Sequence, residues 1–351
     1  MTGRIRDEGV IVGSLAPGSA NLLTDVSGVT VGHLSLDAGD VKTGVTVVVP
    51  ASGSLFREKL PAAVHVINGF GKSVGLVQIE ELGTLETPIV LTNTLSVGDC
   101  FRGLVEVMLE SDSAIGRETC TVNPVVMECN DGYLNDIRGL HVIPDHVRQA
   151  LERADRSFAL GGVGAGMGMS CYQLKGGIGS ASRMVEIEAE RYTVGVLVLS
   201  NFGELADLIV DGGKIGSAWA SRNLPEPNRE QGSIIVIIAT DAPMTARQLK
   251  RLCKRASVGI ARTGGYMAHG SGEISLAFST AYRIPHDDRA LLTMSFVSDH
   301  WANQFFRAVT ESVEEAVLDS MWCAQTVLGR DEHIRESLPQ IVKYMEWGFT
   351  K

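Results

Sequence analysis

The stretch Tyr266-Met-Ala-His-Gly-Ser-Gly-Glu-Ile-Ser-Leu-Ala-Phe-Ser-Thr280 places Ser271 between two glycines and directly before an apolar run. The simplest interpretation is a loop that enters a strand, because glycine is common in turns. The same pattern also fits a self-cleavage site. A serine hydroxyl can attack the preceding carbonyl group and convert the peptide bond to an ester, and glycine at Gly270 permits backbone conformations that other residues do not reach.

Cleavage before Ser271 gives this serine a free α-amine. The pKa of such an amine is ordinarily about 8, so much of it can act as a base close to neutral pH. Nucleophile and base then belong to one residue at the tip of a strand. A cut at this point would give two chains, residues 1–270 and 271–351, with Ser271 as the amino-terminal nucleophile. The Gly-Ser-Gly pattern alone supports only the loop, so this hypothesis depends on the rest of the sequence.

Continuous apolar runs elsewhere in the chain predict strands that are buried on both faces. These runs cover residues 43–49, 88–93, 193–200, 233–240 and 274–279. Helical spacing of apolar residues predicts one helix over 245–260, capped by Thr245, and another over 301–328. We find no internal repeat and no proline-rich linker, so we expect a single α/β domain of layered sheets and helices over residues 1–351.

Composition limits the classes of function. Hydrophobic residues make up 44% of the chain and charged residues 21%, and the formal net charge is -10. An acidic chain argues against nucleic acid or an anionic membrane as a partner, and no run approaches the roughly 20 apolar residues of a membrane span. Six cysteines without a CxxC pair favour free thiols in a reducing compartment. Because the start also lacks a signal-peptide pattern, we expect a cytoplasmic protein.

Two motifs around the serine resemble the DmpA-like family of L-aminopeptidase/D-esterases and β-peptidyl aminopeptidases. They are Gly270-Ser-Gly-Glu273 and Ala277-Phe-Ser-Thr-Ala281. His269 departs from the family pattern, in which asparagine is more usual at this position. Further stretches that resemble the family run over nearly the whole chain, at residues 21–33, 43–46, 91–98, 128–138, 164–169 and 175–183.

The resemblance implies an inactive precursor that splits before Ser271. It also implies an αββα sandwich, similar to that of N-terminal-nucleophile hydrolases but with its own strand connectivity. Such a protein removes residues from small peptides, amides or esters, and it assembles as a homo-oligomer of processed heterodimers. The substrate's stereochemistry stays open among L-, D- and β-residues.

The resemblance also assigns roles to particular residues. Asn201 corresponds to a donor for the oxyanion, with Tyr133 as a second donor, and Glu128 corresponds to the carboxylate that holds the substrate's ammonium group. Without the family, Asn201 would be a turn residue, Tyr133 a half-buried loop aromatic and Glu128 a solvated carboxylate.

Ser312 and Glu314 match a further pair of the family, expected to hydrogen-bond around the nucleophile and its amine. Residues i and i+2 of a regular helix do not face each other. Either the helix begins or bends there, or only one of the two approaches the nucleophile. Glu314 on a solvated helix face is the alternative interpretation.

Other signals predict no further chemistry. The segment Gly162-Val-Gly-Ala-Gly-Met-Gly168 does not follow a βαβ start, and we interpret it as tight backbone near the pocket rather than a dinucleotide loop. The histidines lack zinc-site spacing, so we expect no metal and no cofactor. Two alternatives remain: an acyltransferase of the related fold, which uses threonine where this chain has serine, and an unprocessed relative without catalytic activity.

Overall fold

The computed structural model describes residues 3–221, 232–287 and 291–348. Its helices are α1 (Leu76–Leu82), α2 (Val97–Ser111), α3 (Asp145–Glu152), α4 (Ile215–Ala220), α5 (Ala246–Cys253), α6 (Ala256–Arg262), α7 (Ala302–Trp322) and α8 (Leu338–Met345). Its strands are β1 (Thr30–Ala38), β2 (Val41–Val49), β3 (Glu58–Gly69), β4 (Thr84–Leu85), β5 (Ile89–Asn93), β6 (Val125–Cys129), β7 (Ser170–Cys171), β8 (Leu174–Lys175), β9 (Gly177–Ile187), β10 (Glu190–Asn201), β11 (Ser233–Thr240), β12 (Gly272–Ser279), β13 (Ile284–Pro285), β14 (Val327–Leu328) and β15 (Ile334–Arg335).

Two sheets carry most of the strands. The larger sheet has the order β13-β3-β12-β11-β10-β9, with β4 also paired to β3. Its neighbouring strands are antiparallel except for β11 and β12, which are parallel. The smaller sheet has the order β1-β2-β5-β6, and β5 and β6 are parallel.

Three apolar clusters hold these sheets and helices together in four layers. One cluster lies between α5 to α7 and the outer face of the larger sheet. A second fills the space between the two sheets, and a third lies between the smaller sheet and the helices α2 and α3. Alternate residues of β11 point into the first and second clusters, which explains why the whole strand is apolar. The predicted α/β class and αββα sandwich are confirmed.

The strand that follows Ser271 is central. β12 lies between β3 and β11, and all eight of its residues are buried. Gly272, its first residue, pairs with Gly69 on one side and Ser233 on the other. Removal of this strand would break hydrogen-bond ladders on both of its edges and expose the apolar interior.

Both helix predictions were partly wrong. Thr245 does cap a helix, since its hydroxyl accepts a hydrogen bond from Gln248 N at 3.3 Å. The predicted helix is divided in two, since α5 ends at Cys253 and α6 begins at Ala256. At the break, the carbonyl of Cys253 accepts a hydrogen bond from the hydroxyl of Ser275 on β12 at 3.0 Å. The longer helix stops at Trp322 instead of Leu328. Val327 and Leu328 form β14, which makes a hairpin with β15.

None of the helices in the described parts of the chain combines the length and the apolarity needed to cross a bilayer.

The position of α7 is set by a glycine. Gly179 on β9 has no side chain, and a Cβ atom there would overlap the carbonyl oxygen of Ala316 on α7. The strand and helix backbones can therefore touch. Because Ser312 lies one turn earlier on the same helix, this contact also determines how close Ser312 comes to the sheet.

Replacing Gly179 with alanine should push α7 away from β9. We expect Gly179→Ala to lower the free energy of unfolding by about 1–3 kcal/mol, the usual cost of overpacking. Gly98→Ala is the matched control, because Gly98 lies exposed on α2 with open space around it, and it should change the free energy by no more than about 1 kcal/mol. Urea unfolding, followed in an uncleaved Ser271→Ala background, measures both. Equal stability of the two variants would contradict the packing argument.

Candidate active site

Ser271 lies at the entry to the central strand β12 and is completely buried. Its backbone N–H donates to the carbonyl of Ala268 at 3.0 Å, so residues 268–271 form a tight turn. Its Oγ atom has no hydrogen-bond partner among the residues that the structure describes. A buried hydroxyl usually makes a structural hydrogen bond, so a hydroxyl held without one is available for chemistry.

Asn68 holds this turn from the neighbouring strand β3. Its Nδ2 atom donates to the carbonyl of Ala268 at 2.9 Å and also to the carbonyl of Ser271. A bulge in the pairing of β3 with β12, between Glu273 and Ile274, lies beside it and re-aims the side chain. Asn68 has no distinctive signal in the sequence, because an asparagine close to a glycine is typical of an ordinary turn.

Asn201 is the last residue of β10 and lies at the same end of the larger sheet as Ser271. It pairs with Ser233, which in turn pairs with Gly272, so the backbones of Asn201 and Gly272 are two strands apart, roughly 10 Å. The Oδ1 atom of Asn201 accepts a hydrogen bond from Ser170 N at 2.8 Å. An N–H group only donates, so this contact fixes which way the amide is turned. The contact with Ser170 does not involve Nδ2, the donor atom of the same amide.

Glu128 is a buried carboxylate on β6 with 4% of its surface exposed, which excludes the solvated alternative. Its oxygens accept from Lys72 N at 2.8 Å and from the hydroxyl of Thr94. The loop that carries Lys72 also touches the nucleophile's strand, because a Cβ atom on Gly71 would lie 3.3 Å from Glu128 Oε1 and 3.8 Å from Ile274 Cδ1. Gly71 therefore lies in space between the carboxylate of Glu128 and the side chain of Ile274 on β12.

Tyr133 lies in the turn after β6 and is held by residues of the hairpin β14–β15. The ring of His333 stacks on it with the centroids 4.5 Å apart. The guanidinium carbon of Arg335 lies 3.4 Å from the centroid of the same ring. The backbone is fixed as well, since His333 Nδ1 lies 2.8 Å from the carbonyl of Tyr133.

Ser312 and Glu314 lie on α7, which runs without a break from Ala302 to Trp322. Ser312 is fully buried, and its Oγ atom has no hydrogen-bond partner within the described residues. Glu314 instead forms an ion pair with Arg262 of α6 at 3.1 Å, and burial is the main cause that raises its pKa. The two side chains therefore point in different directions. On this continuous helix, Ser312 is the better candidate of the two to approach Ser271.

The glycine-rich segment 162–168 is tight backbone. Gly168 leaves no space for a side chain, because a Cβ atom there would overlap the carbonyl oxygen of Lys42. The buried ammonium group of Lys175 donates to the carbonyls of Gly166, Met169 and Gly176 at 2.6–3.0 Å. Burial lowers the pKa of Lys175 to about 7. This lysine therefore fixes the segment that leads to Ser170, the partner of Asn201.

The sheet register thus gathers Ser271 and Asn201 at one end of the larger sheet, and the loop at Gly71 connects Glu128 to it. Cys129, next to Glu128, donates its thiol to the carbonyl of Leu199 at 3.4 Å, which fixes the smaller sheet against β10 near Asn201. No group of three or more potential metal-binding side chains occurs in residues 3–221, 232–287 and 291–348.

Comparisons with known proteins agree with this architecture. The sequence model of Peptidase family S58 matches residues 21–335. The β-peptidyl aminopeptidase BapA of Sphingosinicella microcystinivorans is 38% identical, over 96% of this chain and 89% of that protein.

Two solved structures have nearly the same fold. The PH0078 protein of Pyrococcus horikoshii OT3 is 49% identical with a TM-score of 0.92, covering 98% of this chain and 99% of that one. The L-aminopeptidase D-Ala-esterase/amidase of Ochrobactrum anthropi, described as a variant of the N-terminal-nucleophile hydrolase fold, is 34% identical with a TM-score of 0.89, covering 98% and 99%. The resemblance to the DmpA-like family is confirmed, and the chain belongs to peptidase family S58, the serine aminopeptidases with an N-terminal-nucleophile type of fold.

Proposed function

We propose that the chain cleaves its own backbone between Gly270 and Ser271, and that Ser271 then serves as the nucleophile of an aminopeptidase. The observation that carries this proposal is the buried Oγ atom of Ser271, which lacks a hydrogen-bond partner in the described residues, at the entry to a central strand. Ser233 at the start of β11 also has a buried Oγ atom without a partner in the described residues, so the proposal depends on this feature together with the Gly270-Ser-Gly272 turn that Asn68 holds.

Self-cleavage would begin with attack of Ser271 Oγ on the carbonyl carbon of Gly270. The peptide C–N bond breaks, the nitrogen of Ser271 takes a proton, and an ester joins Gly270 to Oγ. Water hydrolyses this ester, which leaves a carboxylate on Gly270 and a free hydroxyl and amine on Ser271. The hydrogen bonds from Asn68 to residues 268 and 271 support this step, because they hold the turn on both sides of the scissile bond.

Substrate hydrolysis would use the same hydroxyl. The α-amine of Ser271 accepts the proton from Oγ as it attacks the substrate carbonyl, and the amine product leaves an acyl-enzyme that water then opens. Asn201 Nδ2 and the phenol of Tyr133 donate to the oxyanion. Glu128 binds the substrate's ammonium group, and its burial makes this charge pairing stronger than it would be in water. Ser312 would hydrogen-bond near the nucleophile, whereas Glu314, which pairs with Arg262 of α6, would act only through its position on α7.

The proposed substrates are small peptides, amides or esters with a free amino terminus, including those that begin with a β-amino acid. The relatives named above support this range, since one is a β-peptidyl aminopeptidase and one an L-aminopeptidase that also acts as a D-Ala-esterase/amidase. A panel of L-, D- and β-aminoacyl p-nitroanilides, offered to the processed protein, determines which class is turned over fastest.

We also propose that processed heterodimers associate into a homo-oligomer in the cytoplasm. Leu291, Leu292 and Phe296 are exposed apolar residues of one segment, with 90%, 50% and 59% of their surfaces accessible. Such a concentration is typical of an interface. The six cysteines are free thiols, as expected for a reducing compartment.

The first prediction concerns processing. The purified protein should run as two chains, and sequencing of the smaller one should begin Ser-Gly-Glu-Ile. Ser271→Ala should stay as one inactive chain, because it has no hydroxyl to attack Gly270. Ser271→Cys keeps a nucleophile and should cleave more slowly. A fully active protein that remains a single chain would end the proposal.

The second prediction concerns the oxyanion. Asn201→Ala should lower kcat of the processed enzyme by about 10² to 10³, the usual loss for one such donor. Asn201→Asp keeps the acceptor for Ser170 N, but it replaces the donor with a carboxylate whose negative charge also opposes an oxyanion. Its loss of kcat should therefore be at least as large as that of Asn201→Ala, although the contact with Ser170 is kept. Wild-type kcat in processed Asn201→Asp would show that Nδ2 has no such role.

The third prediction concerns the substrate's amine. N-acetylation of the substrate removes its charge and should abolish turnover by the wild-type enzyme. Glu128→Gln keeps the shape of the side chain and should mainly raise KM, while self-cleavage should proceed as before. Glu106→Gln is the control, since this carboxylate is partly exposed on α2 and, within the described residues, forms its ion pair with Arg102. Equal turnover of free and acetylated substrate would mean that there is no amine pocket.

A further inference from the structure

The hairpin β14–β15 touches Tyr133, one of the two residues proposed to stabilise the oxyanion, and reaches the other, Asn201, through Ser170. Arg335, its last residue, places its guanidinium carbon 3.4 Å from the centroid of the Tyr133 ring. His333 stacks on the same ring with the centroids 4.5 Å apart. Two groups so close to one centroid cannot share a face, so the ring is held between them.

The same arginine reaches the other donor through one residue. Arg335 Nε donates to Ser170 Oγ at 3.2 Å, and Ser170 N donates to Asn201 Oδ1 at 2.8 Å. Ser170 is itself fixed, because it pairs with Lys175 in the short β7–β8 ladder. Lys175 N in turn donates to the carbonyl of Glu336 at 2.8 Å. Arg335, Ser170, Lys175 and Glu336 thus form a closed loop of contacts, and Asn201 is bonded to it through Ser170.

The turn that carries Tyr133 is held by the hairpin through its backbone as well. Arg330 N donates to the carbonyl of Leu134 at 2.8 Å, and Arg330 Nε donates to the carbonyl of Gly132 at 2.8 Å. The turn therefore cannot shift without moving the hairpin. A rigid aromatic ring with both faces covered keeps its phenol oxygen in one place, which is the requirement for a preorganised oxyanion donor.

We propose that Arg335 is a positioning residue that holds both oxyanion donors, Tyr133 by stacking on its ring and Asn201 through Ser170. This inference rests on the oxyanion roles proposed above for Tyr133 and Asn201. It also implies that the chain 271–351 supplies more than the nucleophile, since its far end aligns two groups that belong to the chain 1–270.

The test measures turnover per molecule of the 271–351 chain. Arg335→Met removes the planar cation and the Nε bond, and it should lower kcat at least about tenfold while KM changes less than about twofold. This loss stays below the 10² to 10³ expected for deletion of a donor, because both donors remain. Arg335→Lys keeps the positive charge and is the more conservative change for folding. It should give an intermediate kcat, because an ammonium group cannot stack on the Tyr133 ring as the planar guanidinium does. Arg191→Met, at an exposed ion pair with Glu186, should behave as wild type.

A double-mutant cycle separates positioning from a general effect on stability. Tyr133→Phe keeps the ring and removes the phenol oxygen. If Arg335 acts by aiming that oxygen, then Arg335→Met should cost clearly less in the Tyr133→Phe background than in the wild type. Ser170→Ala, which keeps the N–H bond to Asn201 but removes the acceptor for Arg335, should reproduce part of the loss.

The possible results are distinct. Wild-type kcat in Arg335→Met, or losses that multiply fully with Tyr133→Phe, would overturn the inference while the oxyanion assignments stand. Wild-type kcat in both Tyr133→Phe and Asn201→Asp would instead overturn those assignments, and the inference with them. If Arg335→Met folds without cleaving while Arg335→Lys cleaves slowly, the inference is supported, because self-cleavage passes through an oxyanion too.

Discussion

The pairing of β12 with β3 on one side and β11 on the other is the constraint on which the rest of the molecule depends. It fixes Gly272 opposite Gly69 and Ser233, and therefore fixes Ser271 one residue beyond the sheet. A strand held on both edges cannot slide, because a slip of one residue would turn its apolar residues to the wrong layer. The donors and the carboxylate around the site are placed relative to this strand.

Buried charges join the start of the chain to the same framework. Arg183 on β9 and Arg6 both bind Glu315 of α7, at 2.5 and 2.7 Å, and Arg4 binds Asp319 at 2.5 Å. Burial raises the pKa of Asp319 to about 6, so this carboxylate is partly protonated in weakly acidic solution. Buried ion pairs add little net stability but are costly to break singly. Loss of one partner would leave the other charge buried and uncompensated, so these pairs hold the start of the chain and β9 against α7.

The sequence alone predicted the parts of the fold that depend on local patterns. The strand over 233–240 was predicted to the residue, because a strand buried on both faces is apolar throughout. The helix ends were missed, since they depend on contacts between distant residues such as that of Ser275 with Cys253. Within the site, the motif around Ser271 was visible. Asn68 and Arg335 were not, because nothing in their neighbourhood marks them and only the register and the hairpin bring them to the site.

The central position of β12 has a consequence for how the protein is made. As one chain, the precursor can insert this strand between β3 and β11 during folding, since both edges belong to the same molecule. With the proposed cut before Ser271, refolding from separated pieces would become a bimolecular reaction that depends on concentration. The lifetime of the cut protein would then be governed by its rate of unfolding rather than by its ability to refold. The covalent link that brings β12 to its two neighbours would exist only in the precursor.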